Sequence, residues 1–198
     1  LCDLELKLKQ DNLSINTISI ILRNMRAVFN FAITNEIISS DCYPFRRYKI
    51  KQEETRKRAL SLEQMRALIN LHCDSDKKSK FRDIFLLMVY LIGINTKDLL
   101  NLKEITNGRI EYKRCKTGRL YSIKVEPEAM AIINKYRGSE FLLDIDNRNN
   151  FANHFDKVLK KLGNISYDAN NRKELVSIEP MLSSYYARHS WGYICLRT

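Results

Sequence analysis

At 198 residues the chain has room for one large domain or two small ones. Its 44% hydrophobic content supports a packed core, and six glycines and three prolines are too few for a disordered or collagen-like chain. The net charge of +11 points to a polyanionic partner. No apolar run is long enough for a membrane helix, and the opening LCDLELKLKQ lacks the order of a secretory signal. The five cysteines are widely spaced with no CxxC pair, which predicts neither a disulfide framework nor a zinc site and suits a reducing cytoplasm.

Residues 1 to about 41 read as two helices. The second is expected from Thr17 to Ile38, capped by Thr17 or Asn16, with Ile18, Leu22, Met25, Phe29 and Ala32 forming one apolar stripe. Arg23, Arg26 and Asn30 fall off that stripe, as phosphate contacts or as a solubilising face. Two helices are too little for an independent core, so 1–41 is expected to be the end of a larger helical domain. Residues 42–60 read as a linker. Within it, Arg46, Arg47, Lys49, Lys51, Arg56, Lys57 and Arg58 stand against Glu53 and Glu54, a net of +5. A solvated linker would look the same, but the interleaved Phe45 and Tyr48 favour nucleic acid.

A second domain is expected over 61–198. Ser61 and Gln64 in SLEQ form a capping box, with Leu60 and Met65 placed for a hydrophobic staple. The segment from Lys80 to Ile92 predicts a buried helix ended by Gly93, and a short helix with Asp98 and Leu99 follows. The pattern then changes to alternation. Asn107-Gly108 signals a turn, and RIEYKR and LYSIKV flank a bend at Lys116-Thr117-Gly118, predicting a three-stranded antiparallel sheet. Helices are expected again from Pro127 and over Asn149–Leu162, with a last helix from Glu179-Pro180 through Arg188.

Phosphate-loop, dinucleotide and metalloprotease motifs are absent from the sequence, and His72, His154 and His189 are too scattered to suggest a metal set. Lys116 on a hairpin tip and Arg188 among aromatics each have an ordinary reading, as a solvated lysine and a surface-paired arginine. Their order gives them more weight. Gly93-Ile94-Asn95-Thr96-Lys97-Asp98-Leu99, then Lys116 in RCKTGR, then Tyr185-Tyr186-Ala187-Arg188-His189 resembles the catalytic domain of the tyrosine recombinases, or phage-type integrases. The resemblance spans nearly the whole chain and is similar in look to integrases of bacterial conjugative transposons.

The resemblance implies a mainly helical α+β fold: an integrase-type catalytic domain with a small three-stranded sheet, preceded by part of a helical core-binding domain. It implies double-stranded DNA as partner, assembly of the parent protein on DNA, and no metal, cofactor or membrane. It also implies transesterification: a tyrosine hydroxyl attacks phosphorus and leaves a 3′-phosphotyrosyl bond and a free 5′-hydroxyl. Two arginines and a histidine or tryptophan hold the non-bridging oxygens, and the hairpin lysine protonates the leaving oxygen. The catalytic candidates are Lys116, Arg188, Tyr185 and Asn95. Lys97, Arg114 and Arg119 join the basic residues named above as DNA contacts. The pattern departs from the family at Asn95, where an arginine is expected, and at Tyr185, where a histidine is expected. Only ten residues follow Arg188, and Tyr193 lies about 140° around a helix from it, so the expectation is a DNA-binding fragment that ends before its nucleophile. The alternative is a non-catalytic DNA-binding protein with a degenerate integrase fold.

Overall fold

The computed structural model describes residues 1–167 and 170–196. The chain divides into two compact units, Leu1–Arg56 and Lys57–Thr198.

In the first unit, α1 (Cys2–Gln10) and α2 (Ile15–Thr34) are followed by a single 3₁₀ turn at Ser40–Cys42. The cap of α2 is Ser14, not Thr17 or Asn16, and its hydroxyl accepts the Thr17 N–H at 3.2 Å. The helix ends four residues before Ile38, where Glu36 turns to φ +58°. The expected stripe faces inward: Ile18 and Leu22 are buried and Met25 and Phe29 pack beside them. Phe45 is the third buried member of this core, and Tyr48 donates a hydrogen bond to Glu5 on α1. Neither aromatic in the basic run is therefore a free base-stacking surface, because burying each one against α1 and α2 closes the core. Lys9 and then Tyr48 hold the Glu5 carboxyl down at about 2, while burial and Glu5 push the Tyr48 phenol up to about 12.

The second unit is built around α4 (Asp76–Tyr90), on which α6 (Pro127–Lys135), α7 (Phe151–Leu159) and α8 (Ser184–Cys195) pack. From Ile84 to Val89 every residue of α4 is buried, which explains its almost unbroken apolar sequence. Asp83 is the buried charge on it. Burial pushes its carboxyl up, but hydrogen bonds from Lys135, Arg82 and Tyr136 outweigh this and hold it below the usual range. The capping box of α3 (Leu62–Ile69) forms as expected, with Ser61 and Gln64 bonding each other's backbone N–H groups.

The sheet differs from expectation. β1 (Arg109–Lys113) pairs antiparallel with β2 (Leu120–Lys124), Tyr112 opposite Tyr121. The turn at Asn107-Gly108 forms with positive φ at both residues, but the strand before it shrinks to one bridge, Thr106 with Arg109. Just upstream, the Leu102 carbonyl pairs outside this hairpin and accepts the Leu142 N–H at 2.8 Å. A second antiparallel hairpin that the sequence reading lacked, β3 (Gly163–Tyr167) with β4 (Lys173–Ser177), follows α7. Before α8, Leu182 N–H closes a turn on the Glu179 carbonyl, so the helix begins at Ser184 and not at Glu179-Pro180. No helix among the described residues is long and apolar enough to cross a membrane.

Candidate nucleic-acid interface and reaction cleft

Three pieces of the second unit, far apart in sequence, wall one cleft of about 650 Å³. Asn95 and Lys97 come from the start of α5 (Thr96–Leu100), Arg114 and Lys116 from the tip of the β1–β2 hairpin, and Tyr185 and Arg188 from α8.

α8 presents Arg188 because of how its other face is used. Tyr186, Ala187 and Ser190 are buried, which turns Tyr185 and Arg188, three residues apart, toward the cleft. Asp156 on α7 accepts the Ser184 N–H at 2.7 Å and satisfies an end group of the helix that Ser183 leaves open. Arg188 Nε donates to the Gly93 carbonyl at 2.9 Å, fixing the plane of the guanidinium. Gly93 must be glycine here. Its φ is +67°, and a Cβ would stand 2.4 Å from the Arg188 Cα.

Asn95 is the side-chain cap of α5. Its Oδ1 accepts the Asp98 N–H at 2.9 Å and its Nδ2 donates to the Asp98 carboxylate. Asp98, 2% exposed, also accepts the Cys115 N–H at 2.9 Å. A single buried carboxylate thus ties α5 to the hairpin tip beside Lys116. Sequence reasoning passed over Asp98 as a site residue; the acidic residue before Leu99 in the quoted turn was the available signal. At the tip, Arg114 N–H donates to the Arg119 carbonyl and Gly118 N–H returns to the Arg114 carbonyl at 2.8 Å, so Lys116 rides on a closed, exposed turn. Tyr112 stacks on Tyr121 at 5.4 Å, and burial, then Asp98, pushes its phenol up to about 12.

Tyr185 is half exposed, stands edge-on to His189 at 4.5 Å, and lies 5.9 Å beneath the Arg58 guanidinium. Of the other basic residues marked in this unit, Lys57 is exposed and Arg119 covers the Tyr121 ring, both outside the cleft lining. In the first unit Arg26, Arg47 and Lys49 are exposed. Arg23 bonds the Ser19 hydroxyl at 2.8 Å, Arg46 bonds the Ser40 carbonyl, and Lys51 stands 3.8 Å from Glu5. Arg56 is exposed as well. A roomier hollow of about 750 Å³ lies beside Phe81, Tyr136 and His154. It contains none of the residues that the sequence marked, so the smaller cleft is the candidate site.

Comparison with known proteins agrees with this architecture. The phage integrase SAM-like domain family matches residues 2–51. The integrase of transposon Tn1549, residues 82–397 in complex with circular intermediate DNA, superposes with a TM-score of 0.63 at 15% identity, over 98% of this chain and 71% of that one. A lambda integrase dimer bound to a COC′ core site gives 0.63 at 15%, over 92% and 67%. A lambda integrase tetramer bound to a Holliday junction gives 0.60 at 15%, over 90% and 54%. No curated protein matches the sequence. The chain shares the fold of these integrases, mainly helical α+β with small antiparallel hairpins. Its amino-terminal segment, residues 2–51, is similar to the phage integrase SAM-like domain family.

Proposed function

We propose that the chain binds double-stranded DNA and contributes the phosphate-gripping part of a tyrosine recombinase that integrates or rearranges a mobile element. Residues 1–41 are the core-binding piece, 42–60 the basic connection and 61–198 the catalytic domain. The observation that carries this reading is the convergence of Lys116 and Arg188 on one cleft, although 71 residues separate them in sequence. A phosphodiester is the ligand that such a cleft suits. It is an anion with two non-bridging oxygens, and charge spreads over its oxygens as phosphorus is attacked.

In this mechanism a tyrosine hydroxyl attacks phosphorus and forms a 3′-phosphotyrosyl bond as the bond to the 5′-oxygen breaks. Arg188 holds the non-bridging oxygens with its planar fork, and Lys116 gives a proton to the departing oxygen. Tyr185 contacts the phosphate from the other side. Tyr193 stays outside the reaction, since it is not part of the cleft lining. Bond energy is conserved in the covalent intermediate, so rejoining needs no nucleotide. The marked arginines and lysines outside the cleft supply backbone contacts along the duplex, where the parent protein assembles.

A second reading, a non-catalytic DNA-binding protein on the same fold, is favoured by one observation: both ends of the Asn95 amide are committed to Asp98. Covalent trapping on a nicked duplex, selected by the protein from a random pool, separates the two. A phosphotyrosyl adduct of the parent protein supports the recombinase, and tight binding by the parent without any adduct supports the second reading. This chain by itself is expected to bind without one on either reading. An adduct through Tyr193 would overturn the site as drawn. Both readings expect affinity for duplex DNA to fall steeply with salt, because phosphate contacts release counterions. A flat response sinks both.

A further inference from the structure

We infer that Arg114 is a catalytic residue, a second guanidinium that grips the same phosphate as Arg188. The inference rests on reading the cleft as a phosphodiester site, and it assigns to Arg114 more than a contact along the duplex.

The ground is an unpaired donor. Arg114 lines the cleft, and its Nε is buried with no hydrogen-bond partner, alone in this among the described side chains. A buried donor left unpaired is costly, and native proteins rarely keep one without a use. Three other arginines of this unit spend the same atom inside the protein. Arg188 Nε bonds Gly93, Arg82 Nε bonds Asp83 at 2.9 Å, and Arg109 Nε bonds the Ser122 hydroxyl at 2.8 Å. The acid that could have quenched Arg114 is occupied, since Asp98 takes the Asn95 amide and the Cys115 N–H. A small turn of the Arg114 side chain into the cleft that it lines would let an anion there supply the missing acceptor.

Placement supports the assignment. The Arg114 backbone is held on both sides by the closed hairpin tip, and the next residue is pinned to Asp98, so the side chain starts from a fixed point. Arg114 and Arg188 line the same cleft, one from the hairpin tip and one from α8. Two planar forks on one phosphate leave no non-bridging oxygen without a charged donor. Asn95, neutral and engaged as a helix cap, cannot provide that charge.

The test uses the full chain with arginine side chains labelled for NMR, titrated with inorganic phosphate against chloride at equal ionic strength. The Arg114 and Arg188 Nε–H signals should shift together with one midpoint. Arg114→Gln should weaken phosphate binding about tenfold, and Arg114→Lys, which keeps the charge but loses the fork, should fall between. If the Arg188 signal moves while Arg114 stays still and Arg114→Gln binds as well as the unmutated chain, the inference is overturned and the phosphate cleft stands. If neither signal moves with phosphate or with a short duplex, the cleft reading falls and the inference falls with it. Because the signals are read in the unmutated chain, poor folding of a variant does not blur the outcome.

Discussion

Among the described residues the second unit carries two antiparallel hairpins of equal strand length, and β1–β2 is the one whose described residues line the cleft. The β1–β2 hairpin is anchored at both ends: Ile110 and Ile123 are buried in the main core, and Asp98 grips its tip through Cys115. The β3–β4 hairpin is tied at its base, where Ile178 N–H meets the Leu162 carbonyl and the Ser177 hydroxyl meets the Lys160 carbonyl. Its Ile165, Leu175 and Val176 stay exposed. The difference teaches that strand pairing alone does not place a cation. A tip becomes a usable part of a site when a buried group elsewhere holds it, because a free turn would lose conformational entropy each time it met a ligand.

The largest break in this contrast should come from Asp98→Ala. It removes the cap partner of Asn95 and the tip anchor together, and leaves buried donors unpaired. Denaturant unfolding should show a loss of about 3 kcal/mol, with faster hydrogen exchange at Cys115 than in β3. A loss no larger than for a surface substitution would mean that the anchor is not one. Next comes alkaline pH. The Tyr112 phenol is raised from 10.0 to about 12, so the folded state keeps a proton that the unfolded state gives up. Its stabilisation is complete below pH 10 and is lost as pH rises from about 10 to about 12. Tyr112→Phe should flatten that part of the stability-versus-pH curve, and an unchanged slope would argue against a buried phenol.

Lys116→Ala should leave unfolding within about 0.5 kcal/mol of the unmutated chain, because the side chain is exposed at a turn, while on the proposed function it weakens binding of a phosphodiester in the cleft. The smallest effect belongs to the other hairpin. Val176→Thr, exposed and outside the cleft, should change both stability and DNA affinity by less than about 0.5 kcal/mol, measured by unfolding and by titration with duplex. A marked loss of DNA affinity there would give the second hairpin a role at the interface and end the contrast.

The elements marked by short-range signals were legible in the chain itself. Capping at Ser61, proline at the first turn of α6, the burial of α4 and the turn that carries Lys116 all depend on residues within a few positions of each other. One local expectation failed, since the strand before Asn107 is reduced to a single bridge, and the packing of Phe45 and Tyr48 against the first unit's core is a long-range contact that no neighbouring residue announces. The β3–β4 hairpin was missed because several of its apolar residues lie on the outside, where no core enforces a clean alternation.

The sequence by itself determined which residues were candidates and in what order they come, since helix period, caps and turns are written in neighbours. It also made a polyanion the natural partner, because net charge needs no fold to be counted. The tertiary structure decided that Asn95, Arg114, Lys116 and Arg188 share one cleft, that Asp98 holds the tip, and that the Arg114 Nε is buried without a partner. Those outcomes depend on packing α8 and the hairpin around α4 and α5. The contacts involved join residues tens of positions apart, and no local pattern of side chains encodes them.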